Sequence, residues 1–207
     1  MDNRILALCE LSNDLLYHKI PREKLSYYID ASLKAGKDAA SEFLHEDLAA
    51  LYEKNGITVE YRESGKGAYG IVYRGQITLS KSGCSLEVFT SSIRELAEHS
   101  AGTDLLPIDY ELAKKIHLAH EFFHYLEYSR DQTVSQMLNR VLIMNFLGLK
   151  RYAAINRCSE VAAHAFAMEL LKLPVLPNYY DYRYLINTGK MTAAAFDGMM
   201  ADYGSLL

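Results

Sequence analysis

Apolar positions recur every three to four residues along residues 5–17, at Ile5, Leu8, Leu11, Leu15 and Leu16, the stripe of an amphipathic helix. Pro21 interrupts it. A second helix is predicted over residues 22–34, broken by Ala35-Gly36-Lys37, and a third follows with Asp38 as its cap. The third carries Phe43, Leu44, Leu48, Leu51 and Tyr52, and Asn55-Gly56 ends it as a left-handed C-cap does. The period then drops to two. Ile57-Thr58-Val59-Glu60-Tyr61 alternates as a half-buried strand, residues 64–67 read as a turn, and residues 69–73 and 76–80 flank Arg74-Gly75 as a tight hairpin. Lys81-Ser82-Gly83 turns again, and residues 85–90 add a strand. The expectation is a small antiparallel sheet of three or four strands.

From Pro107 onward the pattern predicts helices to the end of the chain. Ile108, Leu112, Ile116, Ala119, Phe123 and Leu126 form one stripe. Residues 134–147 make a second helix closed by Gly148, and residues 159–171 a third stopped by Pro174 and Pro177. A tyrosine-rich connection leads to a last helix at residues 191–203. The fold class is α+β, read as residues 1–37, a helical appendage, and residues 38–207, the main domain.

Composition narrows the class. Of 207 residues half are apolar and 23% charged, the balance of a globular protein with a real core. A net charge of −4 speaks against a nucleic-acid binder, and no helix-turn-helix pattern is present, so no direct nucleic-acid contact is expected. Cys9, Cys84 and Cys158 stand far apart with no CxxC, which predicts reduced thiols. The start lacks a basic, apolar leader, and no run approaches the ~18 apolar residues of a span. A cytoplasmic protein without a membrane partner is expected.

The chemistry concentrates in His120-Glu121-Phe122-Phe123-His124, an HExxH motif on the long stripe. Helical residues four apart lie one turn above each other, so both imidazoles face one side and can share one zinc ion. Glu121 is rotated by ~100°, off the metal and placed as a general base. A catalytic zinc needs a third protein ligand. The extension HExxHxxGxxH is absent, since Glu127 and Arg130 occupy its Gly and His positions. Glu127 lies on the ligand side, but three ligands from one helix surround a metal poorly. The helix containing Glu160 and His164 is the best source: the two are four apart, so one can bind while the other supports it. Its Ala162, Ala163, Ala165 and Ala167 permit close approach to the HExxH helix.

Leu118-Ala119-His120-Glu121-Phe122-Phe123-His124, followed by Glu160-Val161-Ala162-Ala163-His164-Ala165-Phe166-Ala167 and Leu170-Leu171-Lys172-Leu173-Pro174, resembles the ImmA/IrrE-type metallopeptidases over residues 38–174. The resemblance implies a mostly helical, zincin-like fold of the gluzincin type. It implies a zinc hydrolase with His120, His124 and Glu160 as metal ligands and Glu121 as catalytic base, cleaving a peptide or protein that can be regulatory. The chain departs from that pattern in three places. His164 replaces the usual Asn or Asp, Phe122-Phe123 brings bulk beside the site, and residues 90–109 read as an insertion. These departures leave an alternative: a catalytically silent metal-binding module of the same fold. For the oxyanion donor the candidates are His164, Tyr125, Tyr128 and Tyr152. Residues 77–80 are a candidate edge for an extended peptide. His117 is read as a supporting polar residue, Cys158 as a buried thiol and residues 65–70 as a turn.

Overall fold

The computed structural model describes residues 1–63, 74–80, 83–102 and 106–207. The expected turns at 64–67 and 81–82, the strand at 69–73 and the glycine-rich stretch at 65–70 lie outside these residues. Helix α1 (Asn3–Leu11) starts at Asp2, whose carboxylate accepts the Arg4 N–H. After two short 3-10 turns comes α2 (Leu25–Ser41), which runs unbroken through Gly36. The break expected at Ala35-Gly36-Lys37 is therefore absent, and the boundary drawn at Lys37 falls inside α2. Helix α3 (Leu48–Lys54) is shorter than expected. It begins at Asp47, which caps the Ala49 and Ala50 N–H groups, rather than at Asp38, and it closes with Gly56 at φ +64°.

Strands β1 (Ile57–Arg62), β2 (Gly75–Ser80) and β3 (Gly83–Phe89) form one sheet in the order β1-β3-β2. β2 and β3 pair antiparallel, with Ile77 opposite Leu86, but β1 and β3 are parallel, with Val59 opposite Leu86. The sheet is mixed, not purely antiparallel: alternation marks a strand's faces but not the direction of its neighbour. Gly75 belongs to β2 and pairs with Val88, so it is not a hairpin tip. α4 (Thr90–Glu98) lies in the stretch read as an insertion.

α5 (Tyr110–Ser129) carries the HExxH residues, and Asp109 caps it by accepting the Leu112 N–H at 2.7 Å. The helix expected at 134–147 is replaced by a single turn, α6 (Val134–Met137), and a hairpin of β4 (Val141–Phe146) and β5 (Leu149–Ala153). Val141-Leu142-Ile143-Met144 is a continuous apolar run, which has no period to separate helix from strand. Leu147 and Gly148 both take positive φ (+49° and +80°), as a type I′ two-residue turn demands. α7 (Arg157–Leu170), α8 (Asn178–Asn187) and α9 (Ala193–Gly204) complete the chain. The tyrosine-rich connection is α8 itself.

The result is a mostly helical α+β fold. α7 is its axis, touching α1, α2, α5 and α6. Ala162, Ala163, Ala165, Phe166 and Ala167 are all fully buried. Leu6, Leu8, Leu11 and Ile29 belong to the same core as Phe122 and Phe166, so α1 and α2 pack on α7 in one core with the HExxH helix. The three cysteines are free, and Cys158 is buried as expected. Among the described residues no helix is long and apolar enough to cross a membrane.

Candidate metal centre

α5 places His120 and His124 one turn apart, with their Nε2 atoms 3.2 Å from each other. Glu160 sits in the first turn of α7 and reaches across: its Oε2 is 3.2 Å from His120 Nε2 and its Oε1 is 3.7 Å from His124 Nε2. Ligand bonds of ~2.0–2.1 Å in a tetrahedron put neighbouring donor atoms ~3.3–3.4 Å apart. The observed spacings match that edge length, and two imidazole nitrogens with one carboxylate are a zinc donor set. Among the described residues these three form the group whose ligand atoms lie within 4.8 Å of one another. His164, the other residue considered for the third position, stands outside it.

Glu127 supports this arrangement without joining it. Its Oε2 accepts from His124 Nδ1 at 3.2 Å, which leaves Nε2 with the free lone pair that a metal ligand needs. Its Oε1 accepts the Val134 N–H at 2.7 Å and the Ser159 hydroxyl at 2.8 Å. Ser159 Oγ is in turn 2.8 Å from Ser135 Oγ, and Ser135 donates to the Asn156 carbonyl at 2.9 Å. One buried carboxylate thus ties α5, α6 and the start of α7 together, beside both ligand helices.

The charges are strongly coupled. Burial disfavours a charged His124, but its bonds to Glu127 and Glu160 outweigh this and push its pKa up to about 10. Burial would raise Glu160, yet its bonds to His120 and His124 hold it well below the usual carboxylate range. In both groups the contacts between histidine and glutamate oppose the effect of burial.

Glu121 is not among the three donors but shares the cleft with them. Its Oε2 accepts the Ile77 N–H at 3.3 Å, so the edge strand β2 lies directly against the helix. Gly75 lies at the same contact, where an added Cβ would stand at an ordinary van der Waals distance of 3.4 Å from Glu121 Cγ. His120, Glu121 and Glu160 open into a cleft of 510 Å³ whose walls include Glu10, His117, His164 and Tyr180.

His164 contributes to the wall of the cleft. Its ring centroid is 4.9 Å from that of His120, its Nε2 is 3.9 Å from Glu10 Oε2, and its Nδ1 is buried without a hydrogen-bond partner among the described residues. Burial, reinforced by the nearby His120, holds it neutral. His117 donates from Nδ1 to the Ala113 carbonyl at 2.8 Å, and burial pushes its pKa down to about 4. Of the residues considered as oxyanion donors, only His164 lines the cleft. Tyr125 donates to Asn55, Tyr128 is exposed, and Tyr152 lies on β5. Phe122 and Phe123 do not crowd the site: they are buried, with rings against Phe166.

Sequence reasoning missed Glu10 and Arg74, which come to the cleft from other elements and carry no local signal. It also missed the role of Glu127, although three residues after His124 is the spacing that brings two side chains together on a helix. Comparison of the chain with protein-family models, curated proteins and solved structures finds no match.

Proposed function

We propose that this chain is a zinc-dependent metallopeptidase of zincin type, akin to the ImmA/IrrE peptidases, that hydrolyses a peptide bond in a peptide or protein. The observation that carries this reading is the meeting of His120, His124 and Glu160 at tetrahedral edge spacings, with Glu121 beside them and off the donor set. A purely structural metal site has no use for that second carboxylate. Zinc, when bound, acidifies water towards a pKa of ~7 and polarises a carbonyl. Glu121 then serves as the base that takes a proton from the attacking water and passes it to the leaving amine. The Ile77 N–H holds this carboxylate in place until substrate arrives. Among the described residues β2 is the edge of its sheet, and its N–H and C=O groups next to Glu121 can pair with an extended peptide and lay the scissile bond across the cleft. His164 and Tyr180 line the wall from which a developing oxyanion can be stabilised.

The test compares wild type with His120→Ala, Glu160→Gln and Glu121→Gln by metal analysis and by cleavage of a mixed fluorogenic peptide library. The expected result is loss of zinc in the first two, and retained zinc with lost cleavage in Glu121→Gln. Zinc retained by Glu160→Gln but lost by His164→Ala would overturn the third ligand. A wild type that binds zinc and cleaves nothing would favour the silent metal-binding module.

A further inference from the structure

The β4–β5 hairpin is the most apolar exposed feature of the described surface. Leu147 at its tip is 91% exposed, Phe146 64% and Leu149 58%. Leu142, Ile143 and Met144 are exposed to nearly equal extents, where the pairing is irregular at Ile143. Contiguous exposed apolar surface of this kind marks a binding site. The flanks are basic. Between Gln132 and Asn156 there is no Asp or Glu, but Arg140, Lys150 and Arg151 are present, in a chain of net charge −4. None of the three forms an ion pair among the described residues. Lys19 and Lys24 line a hollow at the base of the hairpin together with Arg140, Leu142 and Tyr152, and Glu23 is the acidic residue beside them in sequence.

We propose that this hairpin seats the protein on an anionic lipid bilayer. Phe146, Leu147 and Leu149 enter the boundary between headgroups and acyl chains, and the cations meet lipid phosphates and carboxylates. Charge complementarity selects this occupant, because a second copy would bring the same cations together. The layering agrees: exposure is greatest at the apolar tip, and the positive charge lies behind it. Five residues of strand reach ~17 Å, more than the ~5–10 Å depth of interfacial insertion. The open edges of a two-stranded ribbon keep it in the interface, since unpaired N–H and C=O groups are not tolerated in hydrocarbon. The expectation of no membrane partner rests on the lack of a span, which interfacial seating does not require. The inference is independent of the metal-site reading.

The test is flotation of the full chain with vesicles of phosphatidylcholine alone, or with about one-third phosphatidylserine. The protein is expected to float with the second and not the first, and to be released as salt rises from about 0.1 to 1 M. Lys150→Gln and Arg151→Gln should each weaken partitioning roughly fivefold. Phe146→Ser with Leu147→Ser should abolish it while circular dichroism and thermal unfolding stay unchanged. No flotation with the anionic vesicles, or equal flotation with both, would overturn the proposal. So would a wild-type dimer, seen by sedimentation, that dissociates in the Phe146→Ser/Leu147→Ser variant without any vesicle binding.

Discussion

Gly36 of α2 faces the carbonyl oxygen of Ala162 on α7 so closely that a Cβ on Gly36 would lie 2.1 Å from it and 2.8 Å from Ala165 Cβ. No side chain fits there. Because α7 also carries Glu160, this approach sets where a candidate metal ligand stands relative to α5. Gly36→Ala must push α2 and α7 apart, and it is expected to cost about 1–3 kcal/mol or more despite alanine's better helix propensity. Chemical unfolding measures that loss, and zinc titration should show weaker binding in the same variant. A variant as stable as wild type would refute the tight crossing.

Gly198 is the contrast. It lies in α9, and a Cβ added there would meet nothing within 4 Å. Gly198→Ala should stabilise the protein by roughly 0.5–1 kcal/mol, as at an open helical site. Urea midpoints of the two alanine variants should move in opposite directions.

The bond from His124 Nδ1 to Glu127 predicts that Glu127→Gln weakens zinc binding by about 10–100-fold. Competition with a chelator checks this. Glu127→Gln should also destabilise the fold, since Val134 and Ser159 share the same carboxylate. Unchanged zinc affinity would show that the His124 ring is held by other contacts.

His117 predicts a pH response. Burial, with Arg74 as the next cause, pushes its pKa down to about 4 from an ordinary value near 6.5. Between those values the unfolded chain binds a proton that the folded chain refuses. Its stabilising contribution is therefore complete above pH ~6.5 and is lost as pH falls towards ~4, amounting to about 2–3 kcal/mol. Urea unfolding of wild type and His117→Gln at pH ~7 and ~4.5 tests it, with the smaller acid-induced loss expected in the variant. Equal losses would show that His117 is not the group responsible.

The hairpin turn gives a prediction from backbone geometry alone. Leu147 occupies a left-handed conformation that asparagine tolerates better, and Gly148 follows it. Leu147→Asn should stabilise the turn by a few tenths to about 1 kcal/mol, read from thermal unfolding, while reducing flotation with anionic vesicles.

Much of the site was legible because a helix is a ruler. The 3.6-residue period put His120 and His124 on one side of α5 and turned Glu121 away, and Asn55-Gly56 announced a helix end that the structure keeps. The same period put Glu160 and His164 on one face of α7 and could go no further, since both residues had the right chemistry. Tertiary packing decided between them: Glu160 meets the two imidazoles, and His164 turns to Glu10 from α1. Packing also decided that α2 continues through Gly36, that β1 runs parallel to β3, and that Glu127 bridges two helices. The physical reason is one of range. Side-chain directions within one element follow from local backbone geometry, which the residue order specifies. The distance between groups on different elements follows from how whole surfaces pack, and a continuous apolar run such as residues 141–144 carries no period from which even its own element can be read.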